Sequence, residues 1–162
     1  YRPFEDGTYE LNGSLNHYGL GSVGEWFYTG ILGIAPDGEN VGFQRLLLKP
    51  QITGQLSYVR GSYESVYGTV MTGWEHSENG LHYTVTVPAN MTAQLILPAA
   101  AGHTVTEGNI AIWESSDSEG RIADTESGQS AANGISVTEW KEEMLRMELE
   151  SGSYDFWIKK RA

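Results

Sequence analysis

A mainly β protein, an antiparallel sandwich of jelly-roll type behind one N-terminal helical segment, is what this sequence predicts. Three observations carry that expectation. Apolar residues recur at three- and four-residue spacing only in the first forty positions, at Val23, Trp26, Phe27, Ile31 and Ile34. From Val41 onward the period falls to two, in short runs broken by Gly, Pro and Asn every eight to twelve residues. Strands never alternate with helical patterns, so a parallel βαβ architecture is excluded.

Residues 1–13 are polar and carry the breakers Gly7 and Gly13. The helical segment follows, up to Ile34. It starts either at Ser22, where Ser22-Val-Gly-Glu25 fits a capping box, or near Ser14, running through Gly19, Gly21 and Gly24. Each interior glycine costs a helix up to about 1 kcal/mol. Three of them imply close approach to a neighbouring helix or a ligand. Pro36-Asp-Gly38 then turns the chain.

Strands are predicted at Phe43–Pro50, Gln55–Arg60 and Val66–Glu75, the last with Val70, Thr72 and Trp74 on one face. Asn79-Gly80 is a hairpin signal. Leu81 to Val87 alternates cleanly, with Leu81, Tyr83, Val85 and Val87 inward and His82, Thr84 and Thr86 outward. Further strands are expected at Met91–Leu97, Thr104–Glu107, Ile110–Glu114 and Ile135–Thr138, with loop over most of Ser115–Gly134. Met144–Glu150 and Ser153–Lys159 read as a closing hairpin across Ser151-Gly152, with Leu145, Met147 and Leu149 inward. Trp74, Trp113, Trp140 and Trp157 are most simply core or rim residues, and a sugar-stacking platform is the other reading.

Composition narrows the function classes. The 162 residues include 21 acids against 10 bases, a formal charge of −11, which repels nucleic acid and anionic membranes. No run of 18 apolar residues occurs. With no cysteine, disulfides, zinc–thiolate sites and cysteine nucleophiles are excluded. The four histidines, 17, 76, 82 and 103, are scattered. His76 and His82 flank the Asn79-Gly80 turn and could face one another, yet two imidazoles alone make a poor zinc site. No cofactor motif and no metal set is readable. No segment tells whether the compartment is cytoplasmic or periplasmic.

Two blocks carry a resemblance. Asn16-His-Tyr18 with Gly21-Ser-Val-Gly-Glu-Trp26 is similar to the last helical segment of the (α/α)6 barrel in bacterial family 78 glycoside hydrolases, the α-L-rhamnosidases. Gly61-Ser-Tyr-Glu-Ser-Val-Tyr-Gly68, Trp74, Val87-Pro-Ala-Asn90, Ala93 and Leu97-Pro98 resemble that family's C-terminal β-sandwich. The resemblance implies residues 1–36 as the end of the catalytic domain and residues 37–162 as the sandwich. It implies an inverting hydrolase that removes terminal α-L-rhamnose from glycosides. The two catalytic carboxylates would lie upstream, so the chain alone is expected to be inactive, with the sandwich supporting the barrel. His17 matches the family histidine that hydrogen-bonds rhamnose. Without the resemblance it would be an ordinary helix-surface or core residue. Glu5, Asp6 and Glu10 precede it and match no catalytic context. The implied partners are a rhamnose-containing glycoside and the barrel itself. Without the barrel, the Trp26 and Phe27 face would repack on the sandwich, pair with a second copy, or lie exposed. The alternative function is a carbohydrate-binding or purely structural sandwich module.

Overall fold

In the computed structural model, residues 2–3, 5–7, 9–10, 18–38, 41–116, 119–122 and 133–161 are described. Two short strands, β1 (Arg2–Pro3) and β2 (Tyr9–Glu10), pair antiparallel. The helical segment comes next, and it is not one α-helix. A 3-10 turn at Tyr18–Gly21 leads into α1 (Ser22–Trp26), which widens to a π-turn at Phe27–Ile31. The start at Ser22 is therefore observed, but the capping box is not. Gly21 is the N-cap without a side-chain bond, and the Ser22 hydroxyl donates back to the Gly19 carbonyl at 2.7 Å. The change of pitch at Phe27 also breaks the expected single stripe. Ile34 is buried and Ile31 packs against the core, while Val23, Trp26 and Phe27 remain about half exposed.

Twelve further strands are found among the described residues: β3 (Ile34–Pro36), β4 (Arg45–Leu48), β5 (Tyr58–Ser65), β6 (Gly68–Ser77), β7 (Gly80–Val87), β8 (Thr92–Pro98), β9 (His103–Glu107), β10 (Ile110–Ser116), β11 (Glu119–Ile122), β12 (Ile135–Lys141), β13 (Met144–Leu149) and β14 (Gly152–Lys160). They form a seven-stranded sheet, β11-β10-β9-β14-β7-β6-β5, and a five-stranded sheet, β12-β13-β8-β4-β3. Pairing is antiparallel except for β4 with β8. One apolar cluster joins the two inner faces, with Trp74, Tyr83, Val85, Val105 and Phe156 from the large sheet and Leu46, Leu48, Leu95, Leu145 and Met147 from the small one.

The alternation in β7 is as the sequence predicts: Leu81, Tyr83, Val85 and Val87 are buried while His82, Thr84 and Thr86 face out. Val70, Thr72 and Trp74 share the buried face of β6, and Leu145, Met147 and Leu149 are buried on β13. Three expectations are corrected. Ile34-Ala-Pro36, grouped by its sequence with the helical segment, is an edge strand of the small sheet. The stretch read as loop after Ser115 contains β11, paired with β10, and residues 123–132 lie outside the described part. The closing hairpin does not exist. β13 pairs with β12 and β8 in one sheet, and β14 with β7 and β9 in the other. The chain crosses between layers at Ser151, where the Tyr154 hydroxyl donates to the Glu150 carbonyl at 2.9 Å and reaches the Gly134 carbonyl at 3.2 Å. Burial, with Glu150 and Glu107 nearby, holds that phenol above its ordinary range.

Two local features give testable stability effects. The β12–β13 connection is a two-residue loop, Glu142-Glu143, with φ of 53° and 59°. Both residues adopt the left-handed conformation that such loops fill with Asn-Gly. The double change Glu142→Asn with Glu143→Gly is expected to stabilise the fold by about 1–2 kcal/mol, read as a higher denaturant midpoint at unchanged slope. The Tyr83 hydroxyl is buried with no hydrogen-bond partner among the described residues. Burial pushes its pKa far up. Tyr83→Phe removes a desolvated donor while keeping the ring, so stability should hold or rise by about 1 kcal/mol in thermal melts.

Candidate functional site

Two surfaces stand out. The first is the helical segment. Its C-terminal end is fixed to the sandwich by hydrogen bonds to successive carbonyls. The amide of Gln51 donates to Gly30 at 2.9 Å, the Trp74 indole to Ile31 at 3.1 Å, the Thr72 hydroxyl to Leu32 at 3.3 Å, and the amide of Lys49 to Gly33 at 2.9 Å. The absence of a side chain at Gly61 makes room for Leu32, since a Cβ there would lie 2.5 Å from Leu32 Cδ1. The N-terminal part, by contrast, presents Val23, Trp26, Phe27 and Tyr28 at 43–49% exposure. Gly21 and Gly24 border open space: among the described residues, nothing beyond their own helical segment lies within 4 Å of where their Cβ would stand. His17 belongs to residues 11–17, outside the described part, as does Asn16. Glu5 and Asp6 are exposed on the turn after β1.

The second surface is the outer face of the large sheet. Register alignment sets up three cross-strand rows. Ser62, Met71, Thr86 and Ser153 make one. Arg60, Gly73, Thr84 and Asp155 make the next. Tyr58, Glu75, His82, Trp157 and Thr106 make the third. A chain of polar contacts runs through them: Arg60 Nη2 to Glu75 Oε2 at 3.0 Å, Glu75 Oε1 to His82 Nδ1 at 3.2 Å, and His82 Nε2 to Asp155 Oδ1 at 3.0 Å. The imidazole stacks on Trp157 with ring centres 4.3 Å apart and 12° between planes, and the Lys159 ammonium lies 4.7 Å from the same indole. A groove of about 630 Å³ lies alongside, over Thr84, Thr86, Ser153 and Asp155.

The network fixes what this face can do. The hydrogen bond to His82, with a further one from Arg60, holds the Glu75 carboxyl below its ordinary 4.5. A glycosidase general acid needs the opposite shift. Glu75 is therefore unsuited to the general-acid role. The sign of the pH effect follows. A carboxyl depressed in the folded state stabilises above its unfolded pKa, and that contribution disappears as pH falls through the lower folded value. Thermal melts of the protein and of Glu75→Gln should differ at neutral pH and converge as pH drops below 4.5.

Sequence-based residues fare unevenly. Trp74 and Trp113 are core, Trp140 packs against it, and Trp157 is half buried on the outer face. His76 and His82 do not face each other: Glu75 is the residue opposite His82, so His76 points to the other side, where it contacts the Thr53 carbonyl at 3.2 Å. No cluster of three or more metal-ligating side chains occurs among the described residues. The Arg60–Glu75–His82–Asp155 network, which links two neighbouring rows, escaped sequence reasoning, although the outward alternation of His82, Thr84 and Thr86 marked the right face.

Comparison with known proteins points one way. Residues 33–111 match the family model of the bacterial alpha-L-rhamnosidase C-terminal domain. An alpha-L-rhamnosidase of Streptomyces avermitilis is 40% identical over 92 residues, covering 57% of this chain, and one of Alteromonas sp. (strain LOR) is 38% identical over 86 residues, covering 53%. The chain spans 9% of the length of each of these relatives. The Streptomyces avermitilis alpha-L-rhamnosidase solved with L-rhamnose superposes on 94% of this chain, with a TM-score of 0.66 and 27% identity, and 12% of that chain is covered. The alpha-L-rhamnosidase from Dictyoglumus thermophilum superposes on 95% with a TM-score of 0.71 and shares the fold at 23% identity, with 16% of that chain covered. Residues 33–111 thus match a bacterial alpha-L-rhamnosidase C-terminal domain behind one helical segment, and the chain is similar over more than half of its length to proteins described as alpha-L-rhamnosidases.

Proposed function

We propose that this chain is the C-terminal part of an inverting α-L-rhamnosidase, and that its sandwich holds the last helical segment of the catalytic domain in place. One observation carries the reading: the half-exposed Val23, Trp26 and Phe27 sit on a segment whose other end is hydrogen-bonded to the sheet. An apolar patch on a fixed element is a surface awaiting cover. The bare Gly21 and Gly24 on the same stretch would let a neighbouring helix come close. The catalytic-domain part then ends ahead of Ile34–Pro36, earlier than the expected boundary after residue 36, because that strand pairs in the small sheet of the sandwich.

In this reading the chemistry lies outside residues 1–162. One glutamic acid protonates the glycosidic oxygen as the bond to the anomeric carbon breaks. A second carboxylate takes a proton from water, whose oxygen attacks that carbon from the opposite face. The two carboxyls stand ~6.5–9.5 Å apart to admit the water. His17 is the residue of this chain that would contact rhamnose, since an imidazole both donates to and accepts from sugar hydroxyls.

Grafting tests the support role. Residues 18–161 replace the matching region of the Streptomyces avermitilis relative, and hydrolysis of an aryl α-L-rhamnoside is followed. The graft should retain activity, and Trp26→Asp with Phe27→Asp in it should lower both melting temperature and activity. Full activity and stability in the relative after deletion of that region would refute the role.

A further inference from the structure

We propose that the groove on the outer face of the large sheet binds a neutral saccharide of one or two rings. The inference rests on that face alone and does not depend on the catalytic reading.

The groove runs beside Arg60 over Met71, Thr84, Thr86, Ser153 and Asp155, across β5, β6, β7 and β14. Its space, about 630 Å³, falls in the range of small-molecule sites. Hydroxyls line it: Ser62, Thr84, and the Thr86–Ser153 pair, whose oxygens are 3.0 Å apart. Met71, about half exposed, adds an apolar wall. Threonine methyls and a thioether suit the C–H edge of a sugar ring, while the hydroxyls suit its O–H groups.

The polar side of the groove is steadied before any ligand arrives: Asp155, which lines it, is in hydrogen-bond contact with His82, whose ring stacks on Trp157. Fixed planar groups lose little freedom on binding and can engage two adjacent hydroxyls at once. Arg60 uses Nη2 on Glu75, and His82 engages Oδ1 of Asp155, so Arg60 and Asp155, which line the groove, keep further hydrogen-bonding capacity.

Charge selects the class of ligand. Arg60 lines the groove, and its positive charge opposes a cationic ligand. Glu107 also lines the groove, and the whole chain carries −11, so an anionic glycan is repelled. A purely apolar ligand would strand the hydroxyl floor. A neutral polyhydroxylated ring satisfies all three conditions.

Titration of the 15N-labelled 162-residue chain tests this. The probes are L-rhamnose, cellobiose and a rhamnosyl-glucose disaccharide, with glucosamine and galacturonate as cationic and anionic controls. Amide shifts from a neutral sugar should cluster at residues 71–73, 84–86 and 153–155, with millimolar affinity. Asp155→Ala and Thr84→Phe should each weaken binding by about tenfold or more. Should Thr84→Phe fail to fold, Asp155→Ala and Ser62→Ala carry the comparison, with melting curves as the control for folding. Absence of shifts with every neutral sugar, a stronger response to either charged control, or shifts centred on Trp26 and Phe27 would overturn the proposal.

Discussion

Trp74→Ala is expected to remove about 3–5 kcal/mol of stability, the usual loss for a buried tryptophan. The indole is 2% exposed at the centre of the core and its Nε1 donates to the Ile31 carbonyl at 3.1 Å. Two links break together. The core loses one of its two buried tryptophans, and the helical segment loses one of the bonds that fix it to the sheet. Hydrogen exchange should accelerate over residues 27–32 beyond the global change, because local opening follows the loss of local contacts. Trp74→Phe separates the effects: most packing stays, the bond to Ile31 goes, and the same amides should still lose protection. Uniform acceleration with no excess at residues 27–32 would show that the indole bond does not anchor the segment.

Gly33→Ala is the second large effect. Gly33 has φ of +73°, and a Cβ there would lie 2.2 Å from the Pro50 nitrogen and 2.3 Å from the Lys49 carbonyl carbon. These are backbone atoms, so no side chain can yield. Left-handed strain of about 1–2 kcal/mol adds to the overlap. A loss of at least about 3 kcal/mol is expected, or roughly 6–12 °C in melting temperature for a chain of this size. Gly54→Ala is the control, because a Cβ there meets nothing within 4 Å. It should stay within about 0.5 kcal/mol of the parent. Equal melting temperatures for the two variants would contradict the close crossing of residues 33 and 49–50.

Much of the fold was legible where local pattern and tertiary burial agree. β7 reads inward and outward correctly because its apolar residues alternate without a break from Leu81 to Val87. β13 reads correctly for the same reason. The errors arise where a tertiary choice has no local signal. Ser151-Gly152 looks like a hairpin turn, yet it is a crossing between layers, since strand partners are chosen by the whole sheet and not by the loop. The segment after Trp26 reads as continuous α-helix because a π-turn preserves the same residue types while shifting the face they occupy. Ile34-Ala-Pro36 is too short to show a period and was absorbed into the preceding element.

The site divides the same way. The exposed half of the apolar stripe was visible as hydrophobicity but not as exposure, because pattern alone assigns such residues to a core. Of the three fates open to the Trp26 and Phe27 face, repacking on the sandwich does not occur in the structure, where both side chains stay about half exposed. The Arg60–Glu75–His82–Asp155 network brings together residues from four strands, up to 95 positions apart by their numbering, and only the register of β5, β6, β7 and β14 places their two rows side by side. His17 was singled out by resemblance alone and lies outside the described residues.

Hydrolysis of a chromogenic aryl α-L-rhamnoside by the purified 162-residue chain tests the central claim most directly. If the reacting carboxylates reside elsewhere, release of the aryl group should match the buffer blank at every pH. Turnover within the ordinary enzyme range of about 1–1000 per second would contradict the account, because it would require an acid–base pair within these residues.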